Sequence, residues 1–282
     1  MSTPERPIAV LGAGTLGRRI ALMFSTRGGV VRLYDASADS LAAARAYVDE
    51  ELPAVLSTVP SSSPASLDVG EDLGAAVADA WLVVESLPER IDLKRDVFAE
   101  LERRAAPDAV LASNSSSYPT SELLEAVTTP QRLLNMHFFM PPRIRAVELM
   151  SSGRTDRAVI DRLLSALPTY GLTPFEAKVQ SVGFIYNRIW AAIKRESLAV
   201  AAEGVATPEE IDRLFMMVLG TADGPFRMMD RVGLDIVLDI ENHYAAAREG
   251  LPESPRHLLE EYLEQGRLGR KSGRGFYDYD AE

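Results

Sequence analysis

Four short stretches of this chain carry residues able to do chemistry together. "NMHFFMPP" sets His137 inside an apolar run; the sequence has only two other histidines, His243 and His257. "RAVELM" carries Glu148, and "ASNSSSY" carries Ser116. "GAGTLG" spaces Gly12, Gly14 and Gly17 as G-x-G-x-x-G. Histidine can take and return a proton near neutral pH, which suits a general base. Each residue also has a plain structural reading. His137 could be a core residue bonded to a neighbour, Glu148 a solvated edge residue, and Ser116 a turn or helix cap. Together they supply a base, an orienting carboxylate and a hydroxyl donor, which is a usable catalytic set beside a dinucleotide.

The glycines sit in the context that gives them meaning. Ile8 to Leu11 is an apolar run suited to a buried parallel strand. Leu16, Ile20, Met23 and Phe24 follow the glycines at helical spacing, and Val30 to Tyr34 leads into Asp35. Strand, glycine turn, helix, strand and acid in that order predict a dinucleotide site. The first glycine permits the turn, the second lets the backbone approach a pyrophosphate, and the third lets helix and strand pack closely. The helix N-terminus offers free N–H groups to phosphate. Asp35 is placed to accept bonds from a ribose diol and would repel a 2′-phosphate, so NAD is expected rather than NADP.

The elements that must position these groups follow along the chain. A helix is expected after Asp35, then a surface loop at the Ser/Pro-rich "STVPSSSPASLD". "AWLVVES" reads as a buried strand ending at Glu85, an acid at the carboxyl edge of the sheet. "PERIDLKRDVFAELERRA" reads as an amphipathic helix with Leu93, Val97 and Leu101 on its apolar face. "AVLASNSSSY", "RLLNMHFF" and "RAVELM" read as three more strands. From about residue 183 the pattern turns helical, with Ile185, Ile189 and Ile193 on one face of a helix that Gly204 stops. Thr207 and Pro208 open the next helix. Met216, Met217, Met228 and Met229 read as core or subunit-interface filler. The expected fold is α/β: a Rossmann-type doubly wound, mostly parallel sheet over residues 1–182, followed by an all-helical domain over 183–282.

Composition narrows the partners. With 282 residues the chain can bury a full core. A net charge of −11 argues against nucleic acid or an anionic membrane surface. No apolar run reaches the length of a membrane span, and the N-terminal residues lack the pattern of a secretory signal. Cysteine is absent, and the three histidines are far apart, so no metal site is expected. A cytoplasmic protein with a small-molecule substrate is the resulting expectation.

Taken together, "GAGTLGRRIA", "LVVESLPERIDLKRDVFAEL", "ASNSSSYPTSEL", "HFFMPPRIRAVELM", "VGFIYNRI", "GPFRMMDRVGLD" and "GRLGRKSGRGFYDY" resemble the L-3-hydroxyacyl-CoA dehydrogenase family over nearly the whole chain. "PERIDLKRDVFAEL" is also similar to the lambda-crystallin branch, whose enzymes are L-gulonate 3-dehydrogenases. The resemblance implies His137 as base, Glu148 as its partner, Ser116 as the group binding the substrate oxygen, and Asn187 from the G-F-[IV]-x-N motif. It implies NAD contacts at Gly12, Thr15, Leu16, Asp35, Glu89 and Lys94. It also implies a homodimer formed through the helical domain, and a role in fatty acid metabolism.

The implied reaction is NAD-dependent interconversion of a 3-hydroxyacyl thioester, of CoA or another carrier, and its 3-oxo form. Three departures from the family pattern bear on this. Met140 replaces the asparagine of the usual H-F-F-N-P, and the segment from His137 to Glu148 is one residue shorter, so a rearranged loop must bring the pair together. Residues 36–79 contain no lysine, one arginine (Arg45) and eight acids, a poor landing site for the phosphates of CoA. Arg143 and Arg145 could instead hold the carboxylate of a free hydroxy acid such as a sugar acid. A non-catalytic NAD-binding structural protein, as lambda-crystallin is in lens, is the other alternative.

Overall fold

The computed structural model describes residues 6–279. They divide into two compact units, Met1–Phe184 and Ile185–Glu282. The first unit is built on one eight-stranded sheet. In chain order its strands are β1 (Ile8–Leu11), β2 (Val30–Tyr34), β3 (Ser66–Gly70), β4 (Leu82–Glu85), β5 (Val110–Ser113), β6 (Leu133–Phe138), β7 (Ala146–Ser151) and β8 (Thr173–Ala177). Their order in the sheet is β3-β2-β1-β4-β5-β6-β7-β8. Every neighbouring pair is parallel except β6 and β7. Helices α1 (Thr15–Phe24), α2 (Ala38–Leu56), α3 (Leu73–Val77), α4 (Ile91–Arg104) and α5 (Arg157–Ala166) connect and cover the strands.

The central strands β1, β4, β5 and β6 are buried at every position, as expected for strands covered on both faces. Strand order reverses between β1 and β4, and both strands present their carboxyl ends there. In open α/β sheets this switch point is where ligands bind.

Both edge strands go beyond the elements expected from sequence. β3 lies in the tail of the Ser/Pro-rich stretch read as loop, and β8 contains Pro174. Edge strands are half solvated, so neither shows a continuous apolar run, and an edge tolerates proline. Two helix faces also differ. In α4 the buried residues are Lys94, Phe98 and Leu101, because Lys94 turns inward to a buried carboxylate.

The second unit is helical: α6 (Tyr186–Ala202), α7 (Pro208–Leu219), α8 (Pro225–Val232), α9 (Leu234–Ala247) and α10 (Ser254–Glu264). Leu198, Phe226, Met229, Leu234, Val237, Leu259 and Phe276 form its core. Thr207 and Glu210 make a capping box with Pro208 in the first turn of α7. In α6 the isoleucine face does not turn inward. Ile185 and Ile189 are exposed, while Arg195 is buried in an ion pair with Glu241 of α9, 2.8 Å apart. Met229 lies in the core, whereas Met217 is 74% exposed.

Two carboxylates tie this unit together. Asp212 of α7 accepts the backbone N–H groups of Phe226 and Arg227 at the start of α8, and the Tyr277 hydroxyl. Asp230 of α8 accepts the N–H groups of Phe276 and Tyr277 and the Tyr279 hydroxyl. Asp230 thereby joins "GPFRMMDRVGLD" to "GRGFYDY". No helix among the described residues is long and apolar enough to cross a membrane.

Candidate active site

The glycine turn between β1 and α1 is a tight backbone crossing. Gly12 has φ +99°, and a side chain there would also meet the Ser86 carbonyl oxygen at 2.5 Å. A Cβ on Gly17 would stand 1.8 Å from the Gly12 carbonyl oxygen, so no larger residue fits. Gly14 and Thr15 are exposed at the helix start, and Gly14 provides no side-chain cap. The first N–H groups of α1 therefore face open space, which suits a pyrophosphate.

Asp35 follows β2. Its carboxylate accepts the Ala13 N–H at 2.7 Å and the Ser37 N–H at 2.9 Å. These bonds aim the carboxylate back over the glycine turn. Its remaining lone pairs can receive the two hydroxyls of a ribose. The cradle thus fits a dinucleotide on both its phosphate and its ribose side.

Glu85, at the end of β4, is engaged within the protein. It is fully buried, and its oxygens accept from the Leu87 N–H, Lys94 Nζ and the Ser113 hydroxyl at 2.7–2.8 Å. Lys94 also reaches Glu89 at 3.1 Å. Glu89 in turn accepts from the Ser115 hydroxyl at 2.5 Å and the Ser117 N–H at 3.0 Å. Burial by itself would raise the Glu89 carboxyl, but the Ser115 bond, the Lys94 charge and the Ser117 N–H outweigh it and hold the group below its ordinary range. Of the two residues, Lys94 is buried between carboxylates, and only Glu89 retains exposed surface.

The loop after β5 joins this network to His137. Asn114 is buried and accepts the Phe138 N–H at 2.8 Å, which holds the serine loop beside the end of β6. Asn135 grips the same loop through the Thr120 N–H and the Tyr118 carbonyl. Within "SNSSS", Ser113 and Ser115 are buried and bonded, whereas Ser116 is exposed. Among the described residues the Ser116 hydroxyl has no hydrogen-bond partner. Sequence reading misses the bracing role of Ser113, Asn114, Ser115 and Asn135; the polar cluster itself is its only trace.

His137 and Glu148 are register partners across the antiparallel β6–β7 pair. Directly opposed residues stand about 4.5–5.5 Å apart at Cβ, within reach of a hydrogen bond between these side chains. His137 Nδ1 lies 3.0 Å from Glu148 Oε2. Both residues are more than nine-tenths buried. The connecting residues 139–145 contain a cis Pro141–Pro142 bond, and the Ile144 N–H donates to the Met140 carbonyl at 3.0 Å; across this short segment the pair is set by the β6–β7 register. Phe139 and Phe184 flank the imidazole, with ring centroids at 4.9 and 5.1 Å. Asn187 is in the second unit, in the first turn of α6.

A second feature of this unit is a cleft of about 370 Å³ beside the Pro141–Pro142 turn. Arg19, Arg143 and Arg145 line it, together with Tyr47, Glu51 and Thr58. Arg19 donates to the Pro141 carbonyl at 3.0 Å, and Arg145 braces the Thr58 backbone and hydroxyl.

Comparison with known proteins gives this geometry its family. Residues 7–180 match the NAD binding domain of 3-hydroxyacyl-CoA dehydrogenase, and residues 183–279 match its C-terminal domain. The chain is 33% identical to a 3-hydroxybutyryl-CoA dehydrogenase of Bradyrhizobium diazoefficiens, covering 99% of this chain and 97% of the relative. It is 28% identical to the 5-formyl-3-hydroxy-2-methylpyridine 4-carboxylate 5-dehydrogenase of Mesorhizobium japonicum, over 98% and 92% of the two chains. The crystal structure of an (S)-3-hydroxybutyryl-CoA dehydrogenase from Ralstonia eutropha superposes with a TM-score of 0.85 at 26% identity, over 98% and 99% of the chains. The chain is a member of the 3-hydroxyacyl-CoA dehydrogenase family, an oxidoreductase that uses NAD.

Proposed function

We propose that this enzyme interconverts a 3-hydroxyacyl substrate, carried as a thioester of CoA or another carrier, and its 3-oxo form. The observation that best supports this is the 3.0 Å contact between His137 Nδ1 and Glu148. With Nδ1–H given to the carboxylate, Nε2 is the basic nitrogen and removes the proton of the substrate hydroxyl. NAD, when bound, supplies the hydride acceptor for the same carbon. Glu148 fixes the tautomer and balances the imidazolium that forms. Ser116 and Asn187 are assigned to orient the hydroxyl and the neighbouring carbonyl, a contribution of position rather than proton transfer. Gly12, Gly14, Thr15, Leu16 and Gly17 would hold the pyrophosphate, and Asp35 the ribose. Glu89 and Lys94 would complete the cofactor's contacts, with Lys94 also holding the Glu89 carboxylate in place.

The unit boundaries fit a division of labour between an NAD-binding domain and a helical domain for dimerisation and substrate. A two-fold homodimer belongs to this reading. Its support is the apolar surface of α7, where Leu214, Met217, Val218 and Leu219 are all exposed, together with the outward isoleucines of α6. A cytoplasmic location and a place in fatty acid metabolism are part of the same reading.

A second reading, oxidation of a free hydroxy acid, is favoured by the arginine-lined cleft and the lysine-free stretch 36–79. The Mesorhizobium relative is named for a substrate bearing a free carboxylate. NADH formation measured with 3-hydroxybutyryl-CoA, free 3-hydroxybutyrate and L-gulonate separates the cases. Turnover of the thioester with inert free acids supports the first reading; the reverse supports the second. NAD binding without turnover of any of them would refute both readings. If free acids are the substrates, Arg143→Ala should raise their KM about tenfold, the effect of roughly 1.4 kcal/mol.

A further inference from the structure

Phe184 occupies a backbone conformation that aromatic residues avoid. Its φ is +55°, directly after Gly183 at +74°, and Ser61 is the only other described non-glycine residue with positive φ. Such strain persists only where surrounding contacts enforce it. Here they do. The Ser181 hydroxyl donates to the Phe184 carbonyl at 2.8 Å, the Phe184 N–H donates to the Ser181 carbonyl at 3.0 Å, and the Ser181 N–H points at Met150 Sδ. Phe184 is 3% exposed and packs with Met150 and Ala177.

What this arrangement delivers is an aromatic face against His137. The two rings are stacked, 5.1 Å apart between centroids and 28° from parallel. Phe139 approaches the imidazole at 56°. The Glu148 bond alone fixes one nitrogen but leaves the ring free to turn about the Nδ1–oxygen line. A stacked neighbour fixes the plane. It also meets the charged imidazolium with the negative face of an aromatic ring, an attraction that acts within about 6 Å of the centroid.

We propose that Phe184 is a positioning residue for His137: its ring sets the imidazole plane and stabilises the imidazolium formed when the substrate hydroxyl is deprotonated. This rests on His137 being the base. A residue that merely filled the core could be any apolar side chain of similar volume; this role requires an aromatic face.

The test compares Phe184→Leu and Phe184→Tyr in the wild-type and His137→Gln backgrounds, using the best substrate of the panel above. Phe184→Leu should lower kcat by about 3–30-fold, the range a desolvated cation–aromatic contact spans, with KM and NADH affinity within about twofold of wild type. Phe184→Tyr should keep kcat within about twofold of wild type. In the His137→Gln background the Leu change should cost less than about twofold, because the ring it acts through is gone. Independently of activity, the His137 Cε1–H proton resonance should move downfield in Phe184→Leu and not in Phe184→Tyr, as the ring-current shift is lost and kept. Should Phe184→Leu not fold, Phe184→Met is read in the same way. An equal loss in both backgrounds, wild-type kcat in the Leu variant, or an unmoved resonance would overturn the proposal. Full activity in His137→Gln would instead remove the base assignment, and the resonance would still report whether the rings stack.

Discussion

Glu148 stands directly across the β6–β7 ladder from His137, and its Oε2 lies 3.0 Å from the imidazole Nδ1. If the pair works as base and orienting carboxylate, His137→Gln should lower kcat about 10²–10⁴-fold, with little change in NAD affinity. Glu148→Gln should also lower kcat. The double variant should lose much less than the product of the two single losses, since the carboxylate acts through the imidazole. Steady-state kinetics with NAD binding and melting curves for the three variants check this. A folded, fully active His137→Gln enzyme would remove the mechanism.

Asp35 links cofactor choice to the glycine turn, through its bonds to the Ala13 and Ser37 N–H groups. NAD(H) should be preferred over NADP(H) by at least about tenfold, the effect of roughly 1.4 kcal/mol. Asp35→Ala should narrow that preference and leave the far-ultraviolet circular dichroism unchanged. Equal turnover with NADP(H) in the wild type would contradict the assignment.

Glu89 carries a pH signature. Its carboxyl is held below its ordinary range, so its contribution to stability is present above the unfolded value of about 4.3 and is lost as pH falls through the folded value. Glu89→Gln should therefore melt below wild type at neutral pH, and the gap should close as acidification passes below the ordinary carboxylate range and through the depressed folded value. A gap that stays constant from neutral to acid would show that the carboxylate does not contribute in this way.

The apolar surface of α7 should be covered in solution by a second copy. Light scattering at micromolar concentration should give the mass of a dimer, and Met217→Asp should shift it toward monomer. A monomeric wild type would refute the two-fold interface.

The central architecture is legible from sequence because buried parallel strands must be apolar throughout, and because a close crossing such as Gly17 over Gly12 admits only glycine. The edges are not, since half-solvated β3 and β8 carry no such run. Helix faces mislead where charges pair inside. Lys94 is buried against Glu85 and Arg195 against Glu241, so the faces that carry them cannot be found by hydrophobic spacing. His137 and Glu148 are visible as polar residues on apolar strands, but their pairing depends on β6 and β7 running antiparallel in a mostly parallel sheet. The braces from Asn114 and Asn135 act on backbone groups 24 and 15 residues away, distances over which local pattern carries no information.

Asp230 of α8 holds Phe276, Tyr277 and Tyr279, residues that lie outside any helix or strand. This segment is thereby made part of the cooperative unit whose core contains Phe276. Its amide protons at Phe276 and Tyr277 should exchange with solvent only when the helical unit opens as a whole, so they serve as a built-in clock for that event.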